Sequence, residues 1–252
     1  MTDSTLFPPD AGADAGAGAG AGAALVIGAG GGIGAALVAG LQASQAFASV
    51  MGLGRGTLPR LDYSDEASLQ TAAQHVADQC AASGQALRLL VVATGFLHGD
   101  AGQPERSFTT LDAAYLQQVF AINTLGPALV MKHFLPLMAR QGRCVAGFLS
   151  ARVGSIGDNA LGGWYGYRAS KAALNQLVKT ASIEMTRRNK HSICVALHPG
   201  TVATALSQPF AKTGLTVRPP EEAAADLLRV LAGLQAGDTG ALIDHHGEKL
   251  PF

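Results

Sequence analysis

Charge is scarce in this sequence, and it cancels. Eighteen lysines and arginines face 18 aspartates and glutamates, and charged residues make up only 14% of the chain. That balance argues against a nucleic acid or a membrane surface as partner, since both are found through charge excess. Cysteine is almost missing. Cys80, Cys144 and Cys194 stand far apart with no CxxC pair, so no disulfide framework is expected and a reducing, cytoplasmic setting is the simpler reading. The histidines include the neighbours His245 and His246 but show no metal-ligand spacing, so no metal is expected. No apolar run reaches the roughly 18 residues a membrane span needs. The opening MTDSTLFPPDAGADAGAGAGAG lacks the basic front and apolar middle of a signal peptide, so none is expected there. Alternating alanine and glycine bury too little surface to offset ordering, so residues 1–22 are expected to be a disordered tail.

What is present from residue 23 onward alternates regularly. Apolar runs such as ALVI, residues 24–27, fit buried parallel strands, and each is followed by a helical pattern. Two long helices are expected, over 110–141 with a bend near Gly126–Pro127, and over 165–189. Strand–helix alternation predicts an α/β fold: one domain over 23–252, a doubly wound parallel sheet with helices on both faces.

The first strand runs into GAGGGIG, Gly28 to Gly34. Glycines between a strand and a helix permit a sharp turn and close approach of a diphosphate to the helix amides. Gly28, Gly32, Ile33 and Gly34 are therefore candidate cofactor contacts in a Rossmann-type turn. No Lys-Ser/Thr closes the turn, so it is no P-loop. The second strand ends VMGLGRG, with Gly54 at the position an acid takes to bind ribose hydroxyls, and Arg55 next. An arginine there suits a 2′-phosphate, so NADP(H) is expected over NAD(H). Asp62 in RLDYSD follows a strand-like approach and reads either as an adenine contact or as the cap of the next helix.

In YGYRASKAALN, Tyr167 and Lys171 lie four apart, on one helix face. A nearby ammonium lowers a phenol's pKa, so the pair reads either as an acid and base working on a carbonyl or alcohol, with Lys171 also holding the cofactor ribose, or as surface packing. Trp164 reads as pocket lining or as packing at the helix entry.

Taken in order, GAGGGIG, LDYSD, the ATG after VV, INTLGP, LSARVGS, YRASK and HPGTVAT resemble the short-chain dehydrogenase/reductase family over residues 24–252. The segments SARVGSIGDNALGGWYGYRASKAALN and LIDHHGEKLP are most similar to the branch containing C-factor and sniffer-type carbonyl reductases. The resemblance implies catalytic roles for Tyr167 and Lys171, and a role for Asn123 in supporting a water relay to the lysine. It implies cofactor contacts by Ala93 and Gly95 on the adenosine side, and by Pro199, Gly200, Val202 and Thr204 at the nicotinamide. It also implies a substrate loop at about 205–220, containing Phe210, and a homodimer or homotetramer built through the two long helices.

Three positions depart from the family pattern. Ile27 stands where threonine usually opens the glycine motif, and Ala93 replaces an asparagine. Ala151 falls where a serine usually polarises the substrate oxygen, leaving Ser150 as the favoured substitute and Ser155 as the stand-in. The expected function is hydride transfer between NADP(H) and a small carbonyl or alcohol; the alternative is a dinucleotide-binding sensor with little turnover.

Overall fold

The computed structural model describes residues 22–100, 102–204, 206 and 217–252. The tail expected over 1–22 lies outside them except for Gly22. That residue is buried at φ +102 and its N–H donates to Gln85 Oε1 at 3.0 Å, so it belongs to the folded domain. Phe210 and most of the expected substrate loop also lie outside the described residues.

The chain alternates β1 (Ala23–Ile27), α1 (Gly32–Ser44), β2 (Ser49–Leu53), α2 (Glu66–Ser83) and β3 (Leu87–Val92). It continues through α3 (Ala113–Phe120), α4 (Gly126–Phe134), β4 (Cys144–Leu149), α5 (Tyr165–Arg188) and β5 (Ser192–His198), then α6 (Pro220–Gly233), β6 (Leu242–Asp244) and β7 (Lys249–Leu250). The strands form one sheet in the order β2-β1-β3-β4-β5-β6-β7, parallel throughout except for the last pair. Alternate strand residues divide between two cores, as the two-residue side-chain period requires. Leu25, Ile27, Leu90 and Ala146 pack with Leu69 of α2, Phe134 of α4 and Leu174 of α5. Ala24, Val26, Val91 and Val145 pack with Leu37 of α1 and Leu227 of α6. The sheet is therefore doubly wound, as expected.

Two details differ from the sequence reading. The approach to Asp62 is not a strand: after β2 the chain crosses residues 54–65 as loop and enters α2 directly. A doubly wound sheet of this type commonly carries three strands in its first half; here it carries two, and β2 is an edge. The bend in the first long helix also lies earlier than Gly126–Pro127. A π-helical turn over Ala121–Leu125 joins α3 to α4, and it carries Asn123. Proline sits comfortably in the first turn of α4, where its missing N–H costs nothing.

Candidate active site

The switch in strand order falls between β1 and β3, and the crevice beyond their carboxyl ends is where such sheets bind ligands. Gly28 turns at φ +89, and its N–H returns to Leu53 O at 2.8 Å. Gly34 is buried, and a Cβ there would lie 2.1 Å from Gly28 O, so only glycine lets α1 start this close to the strand. The cap position Gly31 offers no side chain, and the first turn of α1 holds no acid. Among the described residues, neither a capping side chain nor a first-turn acid compensates the positive end of this helix. A Cβ at Gly30 would meet nothing within 4 Å, while one at Gly32 would meet Thr204 and Pro220 at 3.3 Å. These residues fit a diphosphate: an open, uncapped helix start flanked by Thr204.

The other expected cofactor contacts lie on the segments that follow β2, β3 and β5. Gly54 approaches the amides of Ala29 and Gly30, and Arg55 beside it is exposed. Ala93 N donates to Ile27 O at 2.7 Å. Gly200, at φ +78, turns against the ring of His245, and Val202 pairs with Arg218. Asp62 is not the cap of α2; Asp65 is, accepting from Ala67 N. The Asp62 carboxylate accepts from Ser64 N at 3.0 Å and Ser64 Oγ at 2.7 Å, and it pairs with Arg60. Those bonds hold it below its ordinary pKa, the Ser64 hydroxyl contributing most. Tyr63 anchors this turn to the β3 exit through Thr94 Oγ1 at 2.9 Å.

Tyr167 and Lys171 stand one turn apart in α5, both buried, with Lys171 Nζ 5.9 Å from the centre of the Tyr167 ring. Lys171 Nζ donates to Leu149 O at 2.9 Å, which fixes the amine at the end of β4. A Cβ at Gly95 would lie 3.9 Å from both Lys171 Nζ and Asn123 Oδ1, so the three residues meet at the β3 exit. Asn123 is a clamp. Its Oδ1 accepts from Phe96 N, and its Nδ2 donates to Phe96 O and to Ser170 Oγ.

Two expectations about this pair are corrected. Burial, not mutual charge, governs the titrations: removal from water pushes the Tyr167 phenol up to about 12 and pulls Lys171 down to about 7. Near neutral pH, Lys171 is thus only partly an ammonium. Ser150 also does not join the pair. Its hydroxyl donates to Asn175 Oδ1 at 2.7 Å, since strand alternation turns it away. Ala151 packs on Tyr167 instead, with Leu97, Val153, Trp164 and Leu206. Ser155 is buried, and its Oγ accepts from Asp158 N at 3.1 Å.

Sequence reasoning missed Glu105 and gave Arg168 no role. Arg168 Nε and Nη2 donate to Gly163 O and Gly162 O at 2.9 and 3.1 Å, tying α5 to its approach. The histidines near β5 form no metal set; among the described residues, no group of three ligand-type side chains is placed to hold an ion.

The family model described as short chain dehydrogenase matches residues 22–214. C-signal of Myxococcus xanthus is 38% identical over 144 residues, which span 56% of this chain and 81% of that protein. The 1-hydroxy-2-glutathionyl-2-methyl-3-butene dehydrogenase of Rhodococcus sp. (strain AD45) is 36% identical over 132 residues, spanning 52% of this chain and 56% of that protein. Among solved structures, the NADPH-bound carbonyl reductase from chicken fatty liver matches with a TM-score of 0.79 at 26% identity, covering 92% of this chain and 100% of that one. Carbonyl reductase Sniffer of D. melanogaster matches with a TM-score of 0.78 at 21% identity over the same shares, a likeness of fold.

Proposed function

The chain belongs to the short-chain dehydrogenase/reductase family, and on that premise we propose that it is an NADP(H)-dependent reductase of small carbonyl compounds, or the corresponding alcohol dehydrogenase. The observation that carries this reading is the buried Tyr167–Lys171 pair, which meets Gly95 at the β3 exit, on the same carboxyl-end side of the parallel sheet as the uncapped start of α1. When bound, the nicotinamide cofactor supplies or accepts the hydride.

The chain's own residues handle binding and the proton. Gly28, Gly32, Ile33 and Gly34 receive the diphosphate, and Ala93, Gly95, Pro199, Gly200, Val202 and Thr204 line the rest of the crevice. Arg55 favours NADP(H), because β2 ends without an acid and an exposed guanidinium follows Gly54. Tyr167 Oη keeps its proton in the resting protein and gives it to the substrate oxygen during reduction, or takes it back in reverse. Lys171, titrating near neutrality, is suited to pass protons onward. The apolar lining of Leu97, Ala151, Val153 and Trp164 favours a modestly apolar substrate.

The carbonyl reductase match was solved with NADPH bound, which supports the cofactor assignment here. No helix among the described residues is long and apolar enough to cross a membrane, and the reading is completed by a cytoplasmic homodimer or homotetramer. A second reading, a dinucleotide-binding protein with little turnover, is favoured by Ala151 at the donor position and by Ser150 engaged elsewhere.

Titrating the protein with NADPH and with NADH, followed by cofactor fluorescence, tests the proposal. Tighter binding of NADPH is expected. Binding of neither cofactor contradicts both readings, and preference for NADH removes the role given to Arg55.

A further inference from the structure

One buried carboxylate takes no part in this account. Glu105 is only 3% exposed and lies between β3 and α3. Among the described residues its side chain meets no cation. Both its oxygens accept from Gly166 N, Oε2 at 3.1 Å and Oε1 at 3.3 Å, and its backbone O accepts from Trp164 N at 2.5 Å. A single residue therefore holds two amides at the entrance of α5. Among the described residues the helix has no other side-chain cap there: Trp164, at the cap position, is left-handed at φ 55 and makes no capping bond with its side chain, and the first turn holds no acid.

Burying a carboxylate without a cation is costly, and the positive end of a helix offsets only part of that cost. If folding alone were served, a serine or aspartate at the cap position would do it at the surface. What Glu105 fixes is specific. Gly166 immediately precedes Tyr167, and a Cβ at Gly166 would lie 3.1 Å from Glu105 Oε1 and 2.9 Å from Leu116 Cδ2. Trp164, whose amide Glu105 also holds, meets the Tyr167 ring edge-on at 6.1 Å.

We infer that Glu105 is a positioning residue for Tyr167: its carboxylate fixes the first turn of α5 and so the direction in which the phenol is presented. The inference rests on the reading of Tyr167 as proton donor.

Trp164 is the single tryptophan of the chain, so its emission in the ligand-free protein reports on the seat directly. The experiment compares Glu105→Ala, Glu105→Gln and Gly166→Ala by Trp164 emission, NADPH affinity, and single-turnover NADPH oxidation with 4-nitrobenzaldehyde. Glu105→Ala is expected to shift the emission to the red and to slow hydride transfer at least about tenfold, with NADPH affinity nearly unchanged, because small misplacements are expensive at a reacting centre. Glu105→Gln keeps an acceptor oxygen and is expected to restore most of the rate. Gly166→Ala, which pushes the carboxylate from the other side, is expected to reproduce the loss.

A wild-type rate in Glu105→Ala, no rescue by glutamine, or a parallel loss of NADPH affinity overturns the inference. If Glu105→Ala does not fold, an unaltered rate in Gly166→Ala overturns it. If the wild type neither binds nor oxidises NADPH, the functional reading fails; an unmoved Trp164 emission in Glu105→Ala overturns the positioning role separately.

Discussion

Tyr167 holds its proton more tightly than a free phenol, and Lys171 holds its proton less tightly than a free amine, for the same reason: neither charged form is well solvated. The consequence reaches stability. Between about pH 7, where Lys171 titrates in the folded protein, and its unfolded value of 10.5, the unfolded chain binds the extra proton. The Lys171 contribution to stability therefore rises with pH across that window. Above about 9 the opposite sign sets in, because buried Cys194 and then Tyr167 keep protons that the unfolded chain has released. The melting temperature is expected to climb from about pH 7 to about 9, and Lys171→Met is expected to flatten that climb; a thermal melt series on both proteins checks it.

Ala151 gives a second prediction at this scale. Restoring a hydroxyl against Tyr167 with Ala151→Ser supplies a donor of the kind whose loss costs enzymes about 10²–10³ in turnover, so kcat is expected to rise about tenfold or more. Steady-state NADPH oxidation with 4-nitrobenzaldehyde measures it, and an unchanged kcat shows that the donor position is already served.

The glycine turn and α1 act as one element. A side chain on Gly34 cannot be absorbed by a rotamer change, since its Cβ would meet the backbone oxygen of Gly28 at 2.1 Å. Gly34→Ala is expected to cost about 1–3 kcal/mol of stability as an overpacked junction and to weaken NADPH binding at least tenfold. Urea unfolding and cofactor titration report the two effects. The elements themselves were legible: apolar runs and helical periodicity place the parallel strands and both long helices. The missing strand before Asp62 was not, because RLDYSD has the look of a strand exit while Tyr63 and Leu61 are in fact turned into the core between sheet and helices. The π-helical turn at Asn123 escaped for a related reason. Proline and glycine mark a bend at 126–127, but the extra residue is accommodated where Asn123 reaches Phe96, a contact with no local signature.

Across the whole molecule, residues far apart in sequence meet at the carboxyl ends of β1, β3 and β4. The motifs GAGGGIG and YRASK announced two sides of that meeting. They could not announce Glu105, whose partner Gly166 is 61 residues away. Nor could they show which way Ser150 points, which depends on strand parity and on Asn175 further along α5.

The measurement closest to the centre of the account is single-turnover oxidation of bound NADPH by 4-nitrobenzaldehyde in the wild type and in Tyr167→Phe. The variant is expected to bind NADPH as the wild type does and to transfer hydride about 10²–10⁴ times more slowly. A variant that turns over within about threefold of the wild type, a gap far below what a lost general acid costs, contradicts the assignment of the proton to Tyr167.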